Sequence, residues 1–231
     1  MKNVDSLNWT EINLELNQKG FASISELLSE GECKEIKQLY SQPIYRSVIN
    51  MQRYRFGMGE YKYFNYPLPR VIQFLREGFY PKLAVIANQW SQLLGDEENY
   101  PLTHNDFISR CIEHNQSRPT PLILHYQKGG FNTLHQDLYG EIYFPFQVVI
   151  ALSQRGQDYE GGELVMTEQL PRAQSKANVL TPNQGDAIIF TTNFRPVKGT
   201  RGYYKSRMKH GVSEIKSGER YALGIIFHDA N

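Results

Sequence analysis

Short apolar runs recur at regular intervals between residues 121 and 229, separated by glycine, proline, asparagine and serine. Such runs with turn residues between them are typical of β-strands. Seven or eight short strands in about 110 residues predict a β-sandwich or jelly roll, because a βαβ sheet would place helices between its strands. The runs are PLILHYQ, YFPFQVVIALS, GELVMT, NVLTP, DAIIFT, KHGVSEI and RYALGIIF, and GFASI (20–24) is an earlier short one.

The first 120 residues show helical spacing instead. Apolar residues in 27–40 fall near the helical repeat, with Ser25 or Ser29 as the candidate cap. Residues 70–94 predict a further helix that is interrupted at Pro81. We therefore expect an α+β protein in which N-terminal helices pack on the sandwich.

Composition narrows the classes of protein that fit. A chain of 231 residues with 40% apolar and 21% charged residues describes a soluble globular protein, expected to form one domain over residues 1–231. Its net charge of +1 means that any attraction to nucleic acid has to come from a local patch. Cys33 and Cys111 offer neither a disulfide framework nor zinc-ligand spacing. With no signal peptide and no long apolar run, we expect a cytoplasmic protein without membrane contact.

His135 and Asp137 lie two residues apart in the stretch FNTLHQDLYGE. On an extended chain, residues i and i+2 point to the same side, so both side chains can reach one ion. A mononuclear iron site with two histidines and one carboxylate needs one more ligand from another strand. Without that ligand, the two residues are a hydrogen-bonded pair at a strand end.

His210 is the best candidate for the third ligand, because it opens a predicted strand in the sandwich half. His125 and His228 compete with it, although His125 is expected to point away from the face used by its neighbours. A second His-x-Asp pair at 104–106 precedes a helical run, so one of its last two residues is expected to cap a helix.

Arg220 follows His210 by ten residues, across a turn predicted at Ser217-Gly218, and starts an apolar strand. A buried arginine is unfavourable without a partner, so we expect it to meet an acid, and a carboxylate suits it best. The alanine and glycine that follow at alternate positions leave room for a ligand. Tyr126, nine residues before His135, can add a hydroxyl to the same pocket.

Together these residues resemble the double-stranded β-helix, or jelly roll, of the iron(II)/2-oxoglutarate dioxygenases. The resemblance implies that His135, Asp137 and His210 hold iron(II). It also implies that Arg220, assisted by Tyr126, binds the 5-carboxylate of 2-oxoglutarate, the cosubstrate used together with O₂. The matching elements, in family order, are Tyr126-x-x-Gly129, His135-x-Asp137, GGEL (161–164), NQGDAIIF (183–190), His210 and Arg220.

Residues 121–231 are thereby expected to form the catalytic core, and residues 1–120 the helical support and the substrate lid. Two stretches are candidates for the substrate site: residues 45–67 hold seven aromatic residues and four Lys/Arg, and residues 195–209 hold six Lys/Arg and no acid. A basic rim with stacking aromatics suits single-stranded or damaged nucleic acid, whereas solvated loops are the alternative. The six basic residues are Arg195, Lys198, Arg201, Lys205, Arg207 and Lys209.

The resemblance divides between two branches of the superfamily. His-Gln-Asp and the spacing from Tyr126 to His135 resemble the AlkB-type nucleic-acid demethylases, and the overall texture of the sequence resembles an oxygenase family proposed to act on damaged DNA. The ten-residue step from His210 to Arg220 resembles the prolyl hydroxylases, and Ile226 stands where the AlkB-type pattern has a second arginine. Three functions remain open: oxidative demethylation of alkylated bases, prolyl-type hydroxylation of a protein, and non-catalytic binding of a metal or ligand.

Overall fold

The helices lie in the first half of the chain, in a computed structural model that describes residues 1–138 and 140–231. Ser29, one of the two predicted caps, caps the second helix through a capping box with Glu32. No helix of the described residues has the length and apolar character needed to span a membrane. The α-helices are α1 (Trp9–Lys19), α2 (Glu30–Gln38), α3 (Arg70–Leu94) and α4 (His104–Glu113).

Helix α3 continues through Pro81, so the predicted interruption is wrong. Proline removes a backbone donor and crowds the preceding turn, which costs a helix about 3 kcal/mol. One face of α3, including Leu75, Phe79, Leu83 and Trp90, is buried in the main hydrophobic core. That burial offsets the cost of the proline, because tertiary packing of a helix face supplies most of its stability.

The strands form two antiparallel sheets, and together with the helices they confirm the predicted α+β class. In the described residues they are β1 (Phe21–Ile24), β2 (Tyr45–Asn50), β3 (Gly57–Met58), β4 (Glu60–Phe64), β5 (Leu122–Gln127), β6 (Phe131–His135), β7 (Phe146–Ala151), β8 (Tyr159–Gly161), β9 (Leu164–Gln169), β10 (Lys176–Leu180), β11 (Ala187–Thr191), β12 (Phe194–Gly199), β13 (Gly202–Val212) and β14 (Ile215–Ile226). The large sheet has the order β1-β11-β7-β14-β5-β4-β2, with β8 on β14. The small sheet has the order β10-β9-β13-β6-β3, with β12 on β13.

Three strands that the sequence did not predict lie in the first half, in addition to its helices. β2 and β4 form a hairpin, and β4 pairs with β5 of the large sheet. Between them, β3 pairs with β6 of the small sheet. The segment from 45 to 64 therefore contacts both sheets, and the alternating side chains of EYKYF are a strand signal within it.

The turn before Arg220 also differs from the prediction. The chain turns at 213–214, between β13 and β14, whereas Ser217-Gly218 lies inside β14. Gly218 has a φ of 75°, and a Cβ atom there would lie 1.9 Å from the carbonyl oxygen of Asp158. Glycine is needed at this position because it permits both the left-handed backbone and the close pairing of β14 with β8.

Alternation along β14 separates the core from a cavity. Leu223 and Ile225 pack in the main core together with residues of α3. Arg220, Gly224 and Ile226 instead line a cavity of about 220 Å³. Because successive strand residues point to opposite faces, the helices cover one face of the large sheet and the cavity lies on its other face, toward the small sheet.

Candidate active site

His135, Asp137 and His210 converge in this cavity, as their predicted role requires. Asp137 Oδ1 lies 3.3 Å from His135 Nε2, and its Oδ2 lies 3.3 Å from His210 Nε2. One donor atom from each of the three residues lies within 4.8 Å of the other two. His135 ends β6 and is paired in register with His210 on β13, so neighbouring strands supply the two imidazoles.

The positions of these donor atoms fit a divalent metal ion. Adjacent ligands of an octahedral ion with bonds of about 2.1 Å lie about 3 Å apart, close to the 3.3 Å separations in this group. His135 Nδ1 lies 2.7 Å from the carbonyl oxygen of Thr133, to which it donates. That hydrogen bond fixes the tautomer and leaves the other ring nitrogen directed at the centre, as in metal-binding histidines.

Burial and the mutual interactions of these three side chains shift their pKa values. Burial alone raises the pKa of Asp137, but the two imidazoles, led by His210, hold that pKa well below its usual value. Burial lowers the pKa of His210, which favours its neutral form. Burial also lowers the pKa of His135, but hydrogen bonding to Asp137 outweighs it and raises that pKa. A metal ion needs the carboxylate ionised and both imidazoles neutral, so it competes with protons for the two histidines.

Arg220 and Tyr126 lie toward the other end of the cavity. They are paired in register across β14 and β5, and the guanidinium carbon lies 5.7 Å from the centroid of the tyrosine ring. Arg220 is 3% exposed, and no acid within residues 1–138 and 140–231 forms an ion pair with it. The acid predicted to meet Arg220 is therefore not supplied by the described residues. In the same part of the chain, the buried hydroxyl of Tyr126 has no hydrogen-bond partner, and burial raises its pKa.

Apolar side chains separate these two polar ends. Leu122 and Leu124 of β5, Val149 of β7 and Gly224 of β14 line the cavity between them. The cavity thus has a cationic end at Arg220, apolar walls along its length, and three potential metal ligands at its other end.

The competing histidines lie elsewhere. His125 points to the opposite face of β5, where its ring stacks 4.2 Å from Tyr221 and its Nε2 lies 3.3 Å from Glu219 Oε2. His228 is buried, and its Nδ1 accepts a hydrogen bond from the backbone N–H of Phe144. Neither joins the group of three.

The second His-x-Asp pair has a structural role, as predicted, but the cap is a different residue. Thr103 caps α4 by accepting from the backbone N–H of Asp106, so neither Asn105 nor Asp106 is the cap itself. His104 is buried, with its Nε2 2.9 Å from the carbonyl oxygen of Phe227.

The basic stretch at 195–209 does not border the cavity, contrary to its predicted place beside His210. Met208 and His210 are buried on the inner face of β13, whereas Arg207 and Lys209 are exposed. Strand alternation sends these two basic side chains to the outer face of the small sheet. The sequence shows that Arg207 and Lys209 lie next to His210 along the chain. It does not show that their side chains point to the opposite face of the strand.

Two more residues of the basic stretch are already paired. Arg195 lies 2.7 Å from Glu168 in a largely buried ion pair, and Lys205 lies 2.8 Å from Asp96. The remaining four are exposed and form no ion pair within the described residues: Lys198, Arg201, Arg207 and Lys209.

The aromatic stretch at 45–67 does reach the cavity. Phe56, Tyr61 and Tyr63 line it. The rings of Tyr54 and Phe56 stack 5.6 Å apart, and the two residues are 56% and 42% exposed. This stretch, which the sequence offers as a candidate substrate site, therefore borders the cavity.

Sequence reasoning missed two residues that contact His210. Gln147 Nε2 lies 3.3 Å from His210 Nε2, and the ring of Phe190 lies 4.7 Å from the histidine ring. The available signal for Gln147 is its isolation, since it is the one polar residue in FPFQVVIA. Phe190 carries no such signal within its apolar strand.

Comparison with known proteins assigns the family. The profile of the Oxygenase-NA family, described as an oxygenase catalysing oxidative methylation of damaged DNA, matches residues 59–230. An uncharacterized protein from Mycobacterium tuberculosis is 49% identical over 164 residues, which cover 71% of this chain and 70% of that protein. The family match favours an oxygenase over the non-catalytic alternative.

Solved structures share the fold at low sequence identity. A Pseudomonas putida prolyl-4-hydroxylase has a TM-score of 0.57 and 13% identity, covering 96% of this chain and all of that one (100%). A Trichoplax adhaerens prolyl hydroxylase, in complex with a peptide fragment of hypoxia inducible factor, has a TM-score of 0.55 and 17% identity, covering 99% and 96%. A Burkholderia pseudomallei oxidoreductase of the 2OG-Fe(II) oxygenase family has a TM-score of 0.55 and 17% identity, covering 98% of this chain and 95% of that one. The chain belongs to the Oxygenase-NA family and shares its fold with 2OG-Fe(II) oxygenases.

Proposed function

We propose that the cavity between the two sheets is the active site. His135, Asp137 and His210 would hold iron(II), and 2-oxoglutarate would extend from this group to Arg220. The observation that carries the proposal is a buried arginine without an acid, in the same cavity as a metal-type donor group. A dicarboxylate would satisfy both ends. Bound iron supplies oxidation of a C–H bond by O₂, coupled to conversion of 2-oxoglutarate to succinate and CO₂.

The side chains have distinct roles in this proposal. Arg220 binds the 5-carboxylate through its paired N–H donors, and the Tyr126 hydroxyl donates to the same group. The apolar walls exclude water and hold the chain of the cosubstrate in an extended form. The two facing antiparallel sheets support a jelly-roll assignment for residues 121–231, with the helices as support within one domain.

We infer that the substrate is an alkylated base in a nucleic-acid strand. Exposed Arg53 and Arg55 alternate along the chain with the stacked Tyr54 and Phe56, which combines cations for phosphates with faces for base stacking. A base has to leave its stack to enter such a cavity. Because this oxygenase chemistry uses no methyl donor, we propose that it removes methyl groups: hydroxylation of an N-methyl carbon gives a hemiaminal, which releases formaldehyde.

Prolyl hydroxylation of a protein is the second candidate. The ten-residue step from His210 to Arg220 and the fold shared with prolyl hydroxylases favour it. The two candidates differ in product, since a prolyl alcohol is stable and releases no formaldehyde.

The test begins without oxygen. Iron(II) and then 2-oxoglutarate are added to metal-free protein, and we expect the visible charge-transfer band of the chelated keto acid. With O₂, single-stranded DNA carrying N-methylated bases should give succinate and formaldehyde in equal amounts. Succinate with hydroxyproline from a prolyl peptide, and no formaldehyde from DNA, would replace the base substrate with the prolyl one. A folded protein that gives no band would overturn the site assignment.

A further inference from the structure

Gln147 occupies a position where the fold itself has no need of an amide. It lies in β7, between β11 and β14, and is paired in register with Phe190 and Ile226. The residue is 8% exposed, and its Oε1 is buried without a hydrogen-bond partner in the described part of the chain. Buried polar atoms are seldom left unpaired in native proteins, so this atom requires an explanation.

The amide nitrogen of Gln147 faces the proposed metal group. Its Nε2 lies 3.3 Å from His210 Nε2, the ring nitrogen that also faces Asp137. When a metal ion takes the lone pair of that ring nitrogen, the amide loses this acceptor. Both ends of the Gln147 amide are then unpaired within the cavity. An apolar residue would fill the same space without this penalty, so the retained amide points to a ligand.

The position of Gln147 relative to Arg220 indicates which part of a ligand it meets. Gln147 is opposite Ile226, six residues along β14 from Arg220, which corresponds to roughly 20 Å of strand. An arginine side chain, a five-carbon dicarboxylate and a glutamine side chain together can span that distance. In the proposed function Arg220 binds the far carboxylate, so the carboxylate beside the keto group would lie next to His135, Asp137 and His210, within reach of Gln147.

We propose that the Gln147 amide donates a hydrogen bond to the 1-carboxylate of 2-oxoglutarate and so fixes the orientation of the keto-acid end. This inference rests on the proposed function of the cavity. Gln147 is then a cosubstrate-binding residue that contacts the reacting end of 2-oxoglutarate without binding the metal.

The test compares Gln147→Leu with Gln127→Leu. Gln127 lies on β5, where its Nε2 donates to Glu219 Oε1 on the exposed side, so the control makes the same change away from the cavity. Both proteins are titrated anaerobically with iron(II) and then with 2-oxoglutarate, without substrate. We expect unchanged iron stoichiometry in both, and a Kd for 2-oxoglutarate about 10- to 100-fold higher in Gln147→Leu alone. The charge-transfer band should also shift in that variant.

Two outcomes separate this inference from the proposed function. If the unaltered protein forms no keto-acid complex, the proposed function is wrong, and the inference about Gln147 is wrong as well because it rests on that function. If the unaltered protein forms the complex, and Gln147→Leu binds 2-oxoglutarate with the same Kd and band position, only the role of Gln147 is overturned.

A second variant, Gln147→Glu, keeps the shape and covers the case in which the leucine variant does not fold. It places a negative charge beside the 1-carboxylate, so we expect weaker 2-oxoglutarate binding than in the unaltered protein. Binding in the folded glutamate variant that is as tight as in the unaltered protein, or tighter, would contradict the hydrogen bond.

Discussion

Tyr126 and Arg220 face each other in register across β5 and β14, at the end of the cavity remote from the three metal-type donors. The pairing gives a buried guanidinium an aromatic face but no counter-ion within the described residues. A cation held in this way favours an anionic ligand.

Replacing Arg220 with alanine should weaken 2-oxoglutarate binding by about 100-fold or more, because two charge-assisted hydrogen bonds are lost. Iron stoichiometry should not change, since Arg220 is not in the donor group. Titration of the keto-acid band measures both. Arg207→Ala, on the exposed face of β13, is the matched control. An unaltered 2-oxoglutarate affinity in the Arg220 variant would move the cosubstrate anchor elsewhere.

Replacing His135 with alanine should abolish stoichiometric iron binding and turnover, because two donors remain where three are needed. Anaerobic metal analysis after gel filtration measures the bound iron. His125→Ala provides the control, because this imidazole pairs with Glu219 on the opposite face of β5. Full iron loading in a folded His135 variant contradicts the assignment.

Acid should destabilise the fold through two buried histidines. Burial, followed by the charge of Arg76, lowers the pKa of His104 to about 3 and that of His228 to about 4. Between these values and the unfolded value of about 6.5, the unfolded chain binds more protons, so the free energy of unfolding falls as pH falls. Between pH 7.5 and pH 5 we expect a loss of about 2 kcal/mol for each histidine.

Urea unfolding at the two pH values measures this loss. His104→Phe should reduce the difference between them whatever its own effect on stability, because one titrating group is gone. An unchanged pH dependence in this variant would show that His104 does not contribute.

The buried ion pair of Arg76 and Asp229 should contribute strongly to stability. The two groups lie 2.7 Å apart with side chains 0% and 1% exposed, and Arg76 also donates to the carbonyl oxygens of residues 226–228. Arg76→Met leaves a buried carboxylate unpaired and should cost about 3–5 kcal/mol of unfolding free energy. Lys82→Met breaks an exposed pair with Asp5 and should cost less than about 1 kcal/mol. Similar losses in both variants would be evidence against the pair.

Charge reversal can locate the path of a nucleic-acid strand. The double variant Arg53→Glu, Arg55→Glu, in the segment from 45 to 64, should weaken single-stranded DNA binding. The slope of log K against log salt concentration should become less steep, by the amount expected for the loss of about two phosphate contacts. Arg207→Glu with Lys209→Glu changes the same number of charges on the outer face of the small sheet. A larger effect of the second pair would show that the strand crosses that face. No DNA binding by the unaltered protein would remove the main support for a nucleic-acid substrate.

The donor residues and Arg220 could be predicted because their order along the chain is specific. His135 and Asp137 share a face through the two-residue period of a strand, and the positions of His210 and Arg220 match one known arrangement. The structure brings the three metal-type donors together and places Arg220 in the same cavity.

Features that depend on distant contacts could not be predicted. Pro81 lies within a continuous helix because packing of α3 outweighs a local preference. β3 and β4 form strands because they pair with β6 and β5, whose residues lie 59 or more positions further along the chain. The contact between Gln147 and His210, on which the proposed role of Gln147 rests, joins residues 63 positions apart in the sequence. Arg207 was misplaced for a simpler reason, since closeness in sequence does not give the direction of a side chain on a strand.

The hairpin of β2 and β4 contributes Phe56, Tyr61 and Tyr63 to the cavity from a single short stretch of the chain, whereas the proposed iron ligands lie on β6, β13 and the residues after β6. Selection can therefore act on the two parts separately. Replacing this one hairpin, with its strand pairing to β5 and β6 retained, should alter what the cavity admits while keeping the proposed iron ligands. Exchanging the hairpin between relatives offers a direct way to redirect the same chemistry to new substrates.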